Sequence, residues 1–184
     1  FGNRREGDLD YVRALAEEFG YAVAPTATRE QAGERVSSTW IRAALAEADF
    51  DSAERLLGRP FEMAGRVQHG QKLGRQLNAP TANIALHRIR SPLHGVYAVN
   101  VSGGGLRNAS GVANVGVRPT IGESLEATLE VHVLEGSPDL YGERLTVRFR
   151  RKLRDEQKFP SLDALKEGIA ADKANARAWL ADHG

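Results

Sequence analysis

The chain has 184 residues, 41% of them hydrophobic and 27% charged, a balance that argues against a mostly disordered protein. Lys and Arg number 25 and Asp and Glu 24, so the net charge of +1 argues against a polycation that coats nucleic acid or anionic lipid. The absence of cysteine in this sequence removes a disulfide scaffold, a thiolate zinc site and a cysteine nucleophile. No stretch approaches the roughly 20 apolar residues that span a bilayer. We therefore expect a cytoplasmic protein with no membrane or nucleic-acid partner.

The first part of the chain, residues 1–58, is predicted to be mainly helical. Asp8 is suited to cap a first helix that closes at Gly20, and residues 21–24 are a short strand candidate. The sequence begins without an initiator Met, and a helical pattern follows almost at once. We therefore expect a fragment of a longer polypeptide.

Two more helices are predicted before the pattern changes. The hydroxyl run Ser37-Ser38-Thr39 precedes apolar residues at helical spacing, and Asp51 with Glu54 forms a capping box for a short third helix. Pro60 then indicates a boundary, which divides the chain into domains at 1–58 and 59–184.

The second part of the chain alternates apolar and polar residues, which is typical of antiparallel strands over a core. Further strands are expected near Met63–Val67 and Gly111–Val117, and Ser161 is suited to cap a final helix. About six short strands predict a small barrel or sandwich. The three clearest apolar sets are Tyr97, Val99 and Val101; Leu129, Val131 and Val133; and Leu145, Val147 and Phe149.

Two neighbouring segments are suited to phosphate and metal chemistry. Gly70, Lys72, Gly74 and Arg75 combine close backbone approach with positive charge, which suits phosphate, although a solvated basic turn fits equally well. Thr81 and Asn83 point the same way in an extended backbone, and their neutral oxygens suit Mg²⁺ that is held mostly by substrate phosphates. Spacing alone favours a turn with side-chain-to-backbone bonds at this second segment.

Two further features carry charge on predicted strands. Glu130 and His132 lie on the polar side of one strand, where a carboxylate could accept a proton from a hydroxyl, although solvation is the usual role. The basic run that ends the next strand, Arg144 to Arg154, could contact nucleic acid. Apolar residues alternate with these basic residues along the strand, and this favours a basic strand face exposed to solvent instead.

In order along the chain, these segments resemble the riboflavin kinase family over about residues 59–182. The first part is similar to the end of the adenylyltransferase module of bacterial bifunctional FAD synthetases, through Ser37-Ser38-Thr39-Trp40-Ile41-Arg42. That module's paired-histidine motif is formed by none of the five histidines in this sequence, so its site is incomplete here. The kinase motifs are Gly70–Arg75, Leu77–Asn83, Gly95–Tyr97, Asn114–Thr120, Glu130–His132, Leu140–Gly142 and Leu153–Glu156.

The resemblance implies a mainly β fold: a six-stranded antiparallel Greek-key barrel with a C-terminal helix, preceded by a helical remnant of an α/β nucleotidyltransferase module. It implies transfer of the ATP γ-phosphoryl group to the 5′-hydroxyl of riboflavin, which gives FMN. Riboflavin and ATP would be the partners, and self-association would act through the longer parent chain.

The resemblance also implies roles for individual residues. Glu130 would be the general base, and Thr81 and Asn83 would hold Mg²⁺. Arg154, Phe159 and the start of the last helix would line the flavin pocket. Gly70, Lys72, Gly74 and Arg75 would form a flap over the phosphates. Two alternatives from other classes stay open at this point: a module that binds flavin without catalysis, and a nucleic-acid-binding barrel.

Overall fold

The computed structural model divides the chain into two compact units, Phe1–Val36 and Ser37–Gly184. No helix among the described residues is long and apolar enough to cross a membrane. The structure describes residues 7–25, 27, 30–31, 34–68, 81–86, 91–119 and 125–183.

The smaller unit contains the predicted first helix. Helix α1 (Leu9–Phe19) begins after Asp8, whose carboxylate accepts a hydrogen bond from the backbone N–H of Tyr11 at 2.9 Å, and ends at Gly20. The prediction of a strand at residues 21–24 is wrong, because this segment has no regular structure. A short apolar run forms a strand only where a partner strand pairs with it. The paired strands of this unit are β1 (Glu30–Gln31) and β2 (Glu34–Arg35).

The second and third helices begin the larger unit. Helix α2 (Ser38–Ala46) follows Ser37, whose hydroxyl accepts a hydrogen bond from the backbone N–H of Trp40 at 3.3 Å. Helix α3 (Phe50–Leu57) is capped by Asp49, so the prediction that Asp51 is the cap is wrong. The Asp49 carboxylate accepts from the backbone N–H of Ser52 at 2.9 Å, and hydrogen bonding to Ser52 lowers the pKa of Asp49. Asp51 lies two residues later, within the first turn of the helix, and is not the residue that caps it.

The larger unit is built on a closed barrel of six antiparallel strands, as predicted. Their order around the barrel is β3-β4-β7-β6-β5-β8. Within it, β8 lies beside β5, the first strand of the β5-β6-β7 meander, and this arrangement is a Greek key. The strands are β3 (Glu62–Gln68), β4 (Ala82–Ala85), β5 (Gly95–Gly103), β6 (Leu106–Pro119), β7 (Leu125–Val133) and β8 (Arg144–Arg154).

The barrel is filled by apolar side chains at every second position along the strands. The three predicted apolar sets on β5, β7 and β8 are all buried in one core cluster. A glycine turn at Gly103–Gly105 joins β5 to β6, and all three glycines have positive φ, which other residues rarely adopt. Strand β4 was not predicted: the turn interpretation at Thr81 and Asn83 is wrong, because extended structure begins at Ala82.

Helix α4 (Leu162–His183) packs on the outside of the barrel. Its start was predicted correctly, since the Ser161 hydroxyl accepts a hydrogen bond from the backbone N–H of Ala164 at 3.1 Å. Ala176 and Leu180 form a second buried cluster with Ala98 and Leu134, and the main core cluster does not include it. The molecule therefore has one apolar layer inside the barrel and another between the barrel and α4.

The short helices α2 and α3 contribute to the barrel core as well. Leu45 and Ala53 belong to the core cluster, and so does Phe50, whose ring lies 6.0 Å from that of Tyr97 and 6.1 Å from that of Phe149. The predicted domain boundary at 58/59 stays a prediction, and residues 37–58 lie in the same compact unit as the barrel.

Replacing the Phe50 ring should test how strongly these helices stabilise the barrel. Phe50→Ala leaves a cavity beside two buried rings and should lower the free energy of unfolding by about 3–5 kcal/mol in urea denaturation. Phe19→Ala is the control, because the Phe19 residue is 67% exposed. The control should change that free energy by no more than about 0.5 kcal/mol. Similar losses for the two variants would contradict the packing role of Phe50.

Candidate functional site

A cavity of about 310 Å³ lies between the outer face of the barrel and α4, and the connection from β8 to α4 covers it. Its barrel wall is made by residues that alternate with the buried core positions on β5, β6 and β7, together with Arg154 at the end of β8 and Thr81 just before β4. The helix contributes its N-terminal half. The lining residues are Thr81, Val96, Val112, Asn114, Glu130, His132, Arg154, Glu156, Gln157, Phe159, Leu165, Ile169, Asp172 and Lys173.

The ladder of β4, β7 and β6 sets a row of polar residues across this wall. Glu130 is in register with Asn83 on one side and with Asn114 on the other. Leu129 and Val131 are 1% exposed and point into the core, so the half-buried Glu130 lies on the outer face, as its place in the alternation predicted. Two hydrogen-bonded neighbour strands thus fix the position of this carboxylate.

The predicted oxygen donors Thr81 and Asn83 lie on the same outer surface. Ala82 and Ile84 are buried in the core, while Thr81 and Asn83 are half-buried, as expected where residues alternate between the two faces. Thr81 lines the cavity, whereas Asn83 is not among its lining residues and lies in register with Glu130 on the neighbouring strand. The structure therefore brings the predicted donors and the predicted base onto neighbouring strands.

The other predicted residues divide into two groups. Arg154 and Phe159 line the same cavity as Glu130, and the register Glu130–Asn114–Val96–Arg154 places Arg154 three strands away from Glu130. Gly70, Lys72, Gly74 and Arg75, the predicted phosphate flap, lie outside the described residues.

Arg154 is held on several sides. Its Nε donates to Asp172 Oδ1 at 2.9 Å and its Nη2 to Asp172 Oδ2 at 2.7 Å, while its Nη1 donates to the Asp155 carbonyl at 2.9 Å. Its guanidinium carbon lies 5.4 Å from the centre of the Phe159 ring. The guanidinium is therefore oriented before any ligand binds.

Charges near the cavity form local pairs. The Asp155 carboxylate pairs with Lys152, and this hydrogen bond lowers the pKa of Asp155 and raises the pKa of Lys152. Glu156 accepts a hydrogen bond from the Asn114 amide at 3.3 Å. Its carboxylate lies so close to Gly116 that a Cβ there would be 2.4 Å from Oε1. Glycine on β6 thus permits Glu156 to lie against the barrel wall.

Most of the basic run on β8 has partners inside the molecule. Arg148 pairs with Glu54 at 3.4 Å, and Arg150 donates to Asn100 at 2.8 Å and to the His183 carbonyl. Lys152 and Arg154 pair with aspartates as described above. These contacts favour structural and site roles for the run over nucleic-acid binding.

The start of the last helix was expected to line the flavin pocket, and Leu165 and Ile169 of α4 do line the cavity, but sequence reasoning missed Asp172. Leu165, Ile169, Ala176 and Leu180 recur at helical spacing on the side of α4 that faces the barrel and the cavity, and Asp172 lies among them. An acidic residue within an apolar helix face is the signal that could have identified it.

Comparison with protein-family models matches residues 57–180 to Flavokinase, described as riboflavin kinase. The chain belongs to the riboflavin kinase family. The resemblance inferred from the short motifs is thereby confirmed, and the closed barrel agrees with the fold it implied.

Relatives with curated names extend the similarity over almost the whole chain. The bifunctional riboflavin kinase/FMN adenylyltransferase of Pseudomonas fluorescens is 56% identical over 181 residues, which cover 98% of this chain and 58% of the relative. The protein with the same name from Escherichia coli K12 is 48% identical over 180 residues, covering 98% and 57%. The chain thus spans less than three fifths of the length of these curated relatives.

One solved structure is similar to this chain. A protein described as a macrolide-efflux protein from Streptococcus pneumoniae superposes with a TM-score of 0.71 at 32% identity, over 97% of this chain and 57% of that one.

Proposed function

We propose that this chain transfers the γ-phosphoryl group of ATP to the 5′-hydroxyl of riboflavin, giving FMN and ADP. Membership of the riboflavin kinase family supports the reaction class. The observation that carries the proposal is the row on the outer face of the barrel, in which Glu130 stands in register with Asn83 beside a cavity. A longer parent chain would also transfer an adenylyl group to FMN, as the names of the bifunctional relatives suggest.

The cavity suits the flavin ring system, which is flat, largely apolar and edged with polar atoms. Phe159, Val96, Val112 and Ile169 supply apolar walls, and Arg154 supplies hydrogen-bond donors. Few polar groups in a mostly apolar cavity of this size are typical of small-molecule sites. The polar end at Thr81 and Glu130 would receive the ribityl hydroxyl and the ATP phosphates.

The donor set near Glu130 fits Mg²⁺ delivered with a nucleotide. Thr81 and Asn83 supply one neutral oxygen each, and the described residues contain no group of three His, Asp or Glu side chains able to hold a metal by themselves. Mg²⁺ would be held by these two residues together with phosphate oxygens. When bound, it would neutralise charge on the phosphates during transfer.

Glu130 would act as the general base. In this role its carboxylate accepts the proton of the riboflavin 5′-hydroxyl as that oxygen attacks the γ-phosphorus, and ADP leaves. The rigid ladder around Glu130 would keep the carboxylate aligned with the hydroxyl. Arg154 and Phe159 would hold the ring system at the other end of the cavity.

The products test the reaction itself. Incubation of the chain with riboflavin, ATP and Mg²⁺, followed by chromatographic separation of the flavins, should give FMN and no FAD. FAD is not expected because the five histidines of this sequence do not form the paired-histidine motif. A reaction without ATP is the control, and riboflavin that binds but is never phosphorylated would contradict the kinase proposal. Sustained FAD formation would contradict the expectation for the adenylyl-transfer site.

The metal assignment predicts that the protein binds Mg²⁺ only when a nucleotide is bound. Calorimetric titration should detect Mg²⁺ binding when ATP or ADP is present and none to the nucleotide-free protein, because two neutral donors supply no charge. Asn83→Ala should severely reduce turnover while leaving the circular dichroism spectrum unchanged. Asn175→Ala, on the exposed surface of α4, is the control and should retain full activity. Tight Mg²⁺ binding at this site without nucleotide would contradict the assignment.

The assignment of the base predicts a large effect on kcat. Glu130→Gln keeps the shape of the side chain but removes the proton acceptor, so kcat should fall by about 10²–10⁴-fold. The KM values for riboflavin and ATP should change far less.

Two variants accompany this experiment. Glu135→Gln changes an exposed carboxylate just after the same strand and should retain the activity of the unmodified protein. His132→Asn tests the competing base, because His132 lines the same cavity. Near-normal turnover of Glu130→Gln together with loss of activity in His132→Asn would assign the base to His132 instead.

A further inference from the structure

We infer that Gly168 and Asp172, one turn apart on α4, are positioning residues for the flavin end of the cavity. Gly168 would seat the ring of Phe159, and Asp172 would hold the guanidinium of Arg154. Neither residue would take part in proton or phosphoryl transfer. The inference rests on the proposed function, because it assigns the ligand of this end of the cavity as riboflavin.

The contact between Asp172 and Arg154 has the geometry of an oriented pair. Both carboxylate oxygens accept hydrogen bonds from the guanidinium, at 2.9 Å and 2.7 Å. The side chain of Asp172 is 8% exposed and that of Arg154 is 25% exposed, so water competes weakly for this carboxylate. A bidentate pair of this kind fixes the plane of the guanidinium as well as its position.

This arrangement leaves donors on Arg154 for a ligand. An arginine has five N–H donors. Three donate to Asp172 and to the Asp155 carbonyl, and the other two have no hydrogen-bond partner among the described residues. Arg154 lines the cavity, so an acceptor on the polar edge of a flavin would meet a donor group already held in place.

The contact between Gly168 and Phe159 leaves no room for a Cβ at position 168 while the ring keeps its position. A Cβ there would lie 2.5 Å from Cε1 and 2.6 Å from Cζ of the Phe159 ring. These distances are well below van der Waals contact, so the edge of the ring lies directly on the helix backbone. A methyl group at position 168 would displace the ring from its place in the wall of the cavity.

The helix has a separate attachment to the barrel further along its length. Ala176 and Leu180 pack in the second apolar cluster, and Arg177 donates to the Leu134 carbonyl at 3.0 Å. Attachment of α4 therefore does not depend on Gly168 and Asp172 alone. This separation indicates that the two contacts at the cavity serve the shape of the cavity.

The test compares riboflavin affinity with fold stability in Asp172→Asn. Loss of the charged partner releases Arg154, so the Kd for riboflavin, measured by quenching of flavin fluorescence, should rise about 10-fold. The KM for riboflavin should rise with it, and the KM for ATP should stay unchanged. Asp172→Glu, which keeps the charge, should restore part of the affinity. Asp163→Asn is the matched control, because Asp163 pairs with Lys166 on the same helix and its side chain is 86% exposed.

The glycine is tested by a compensating pair. Gly168→Ala should raise the riboflavin Kd, and Phe159→Leu in the same chain should recover part of the loss, since leucine lacks the ring atoms that clash. Phe159→Leu alone, together with the unmodified protein, completes this double-mutant cycle. If Asp172→Asn does not fold, this cycle decides the question by itself.

The outcomes separate this inference from the proposed function. If the unmodified protein makes FMN, but folded Asp172→Asn and Gly168→Ala lose only thermal stability and keep their riboflavin Kd within about twofold, the contacts are structural and the inference is overturned alone. If the unmodified protein neither binds riboflavin nor makes FMN, both proposals are overturned.

Discussion

Closure of the barrel imposes the constraint on which the rest of the molecule depends. Each strand pairs with a neighbour on both sides, and each alternates between an inner and an outer face. Inner residues such as Leu129 and Val131 fill the core, and the residues between them face outward. Glu130 owes its position to its two buried neighbours and to the strands that flank it.

A site on the outer face of a barrel needs a second wall, and α4 provides it together with the β8–α4 connection. The apolar layer between the barrel and α4 is separate from the barrel core and attaches the helix further along its length. The barrel would supply the chemical groups on a rigid wall, while the helix supplies the opposite wall. The ion pair between Arg154 and Asp172 joins the two walls at the cavity itself.

Local pattern predicted the parts of this structure that depend on local physics. Alternation predicted β5, β7 and β8, and hydroxyl or carboxylate side chains predicted the starts of α1, α2 and α4. Strand β4 was not predicted because it has only four residues, two of them alanine, and because it follows a Pro-Thr pair that is typical of turns. The start of α3 was placed late because Asp49 and Asp51 are both suitable caps.

The site was predicted in part, and for a different reason. Thr81, Asn83, Glu130, Arg154 and Phe159 were proposed as site residues through short motifs whose order resembles one family. Spacing alone favoured a turn for Thr81 and Asn83 and solvation for Glu130. Asp172 was missed because its partner lies 18 residues away, on a different element. Only the packing of α4 against the barrel brings the two together.

The closed ladder of strands also limits where the chain can gain or lose residues. A one-residue insertion within β7 would turn Glu130 into the core and its apolar neighbours outward, so natural or designed changes of length belong in the connections between strands.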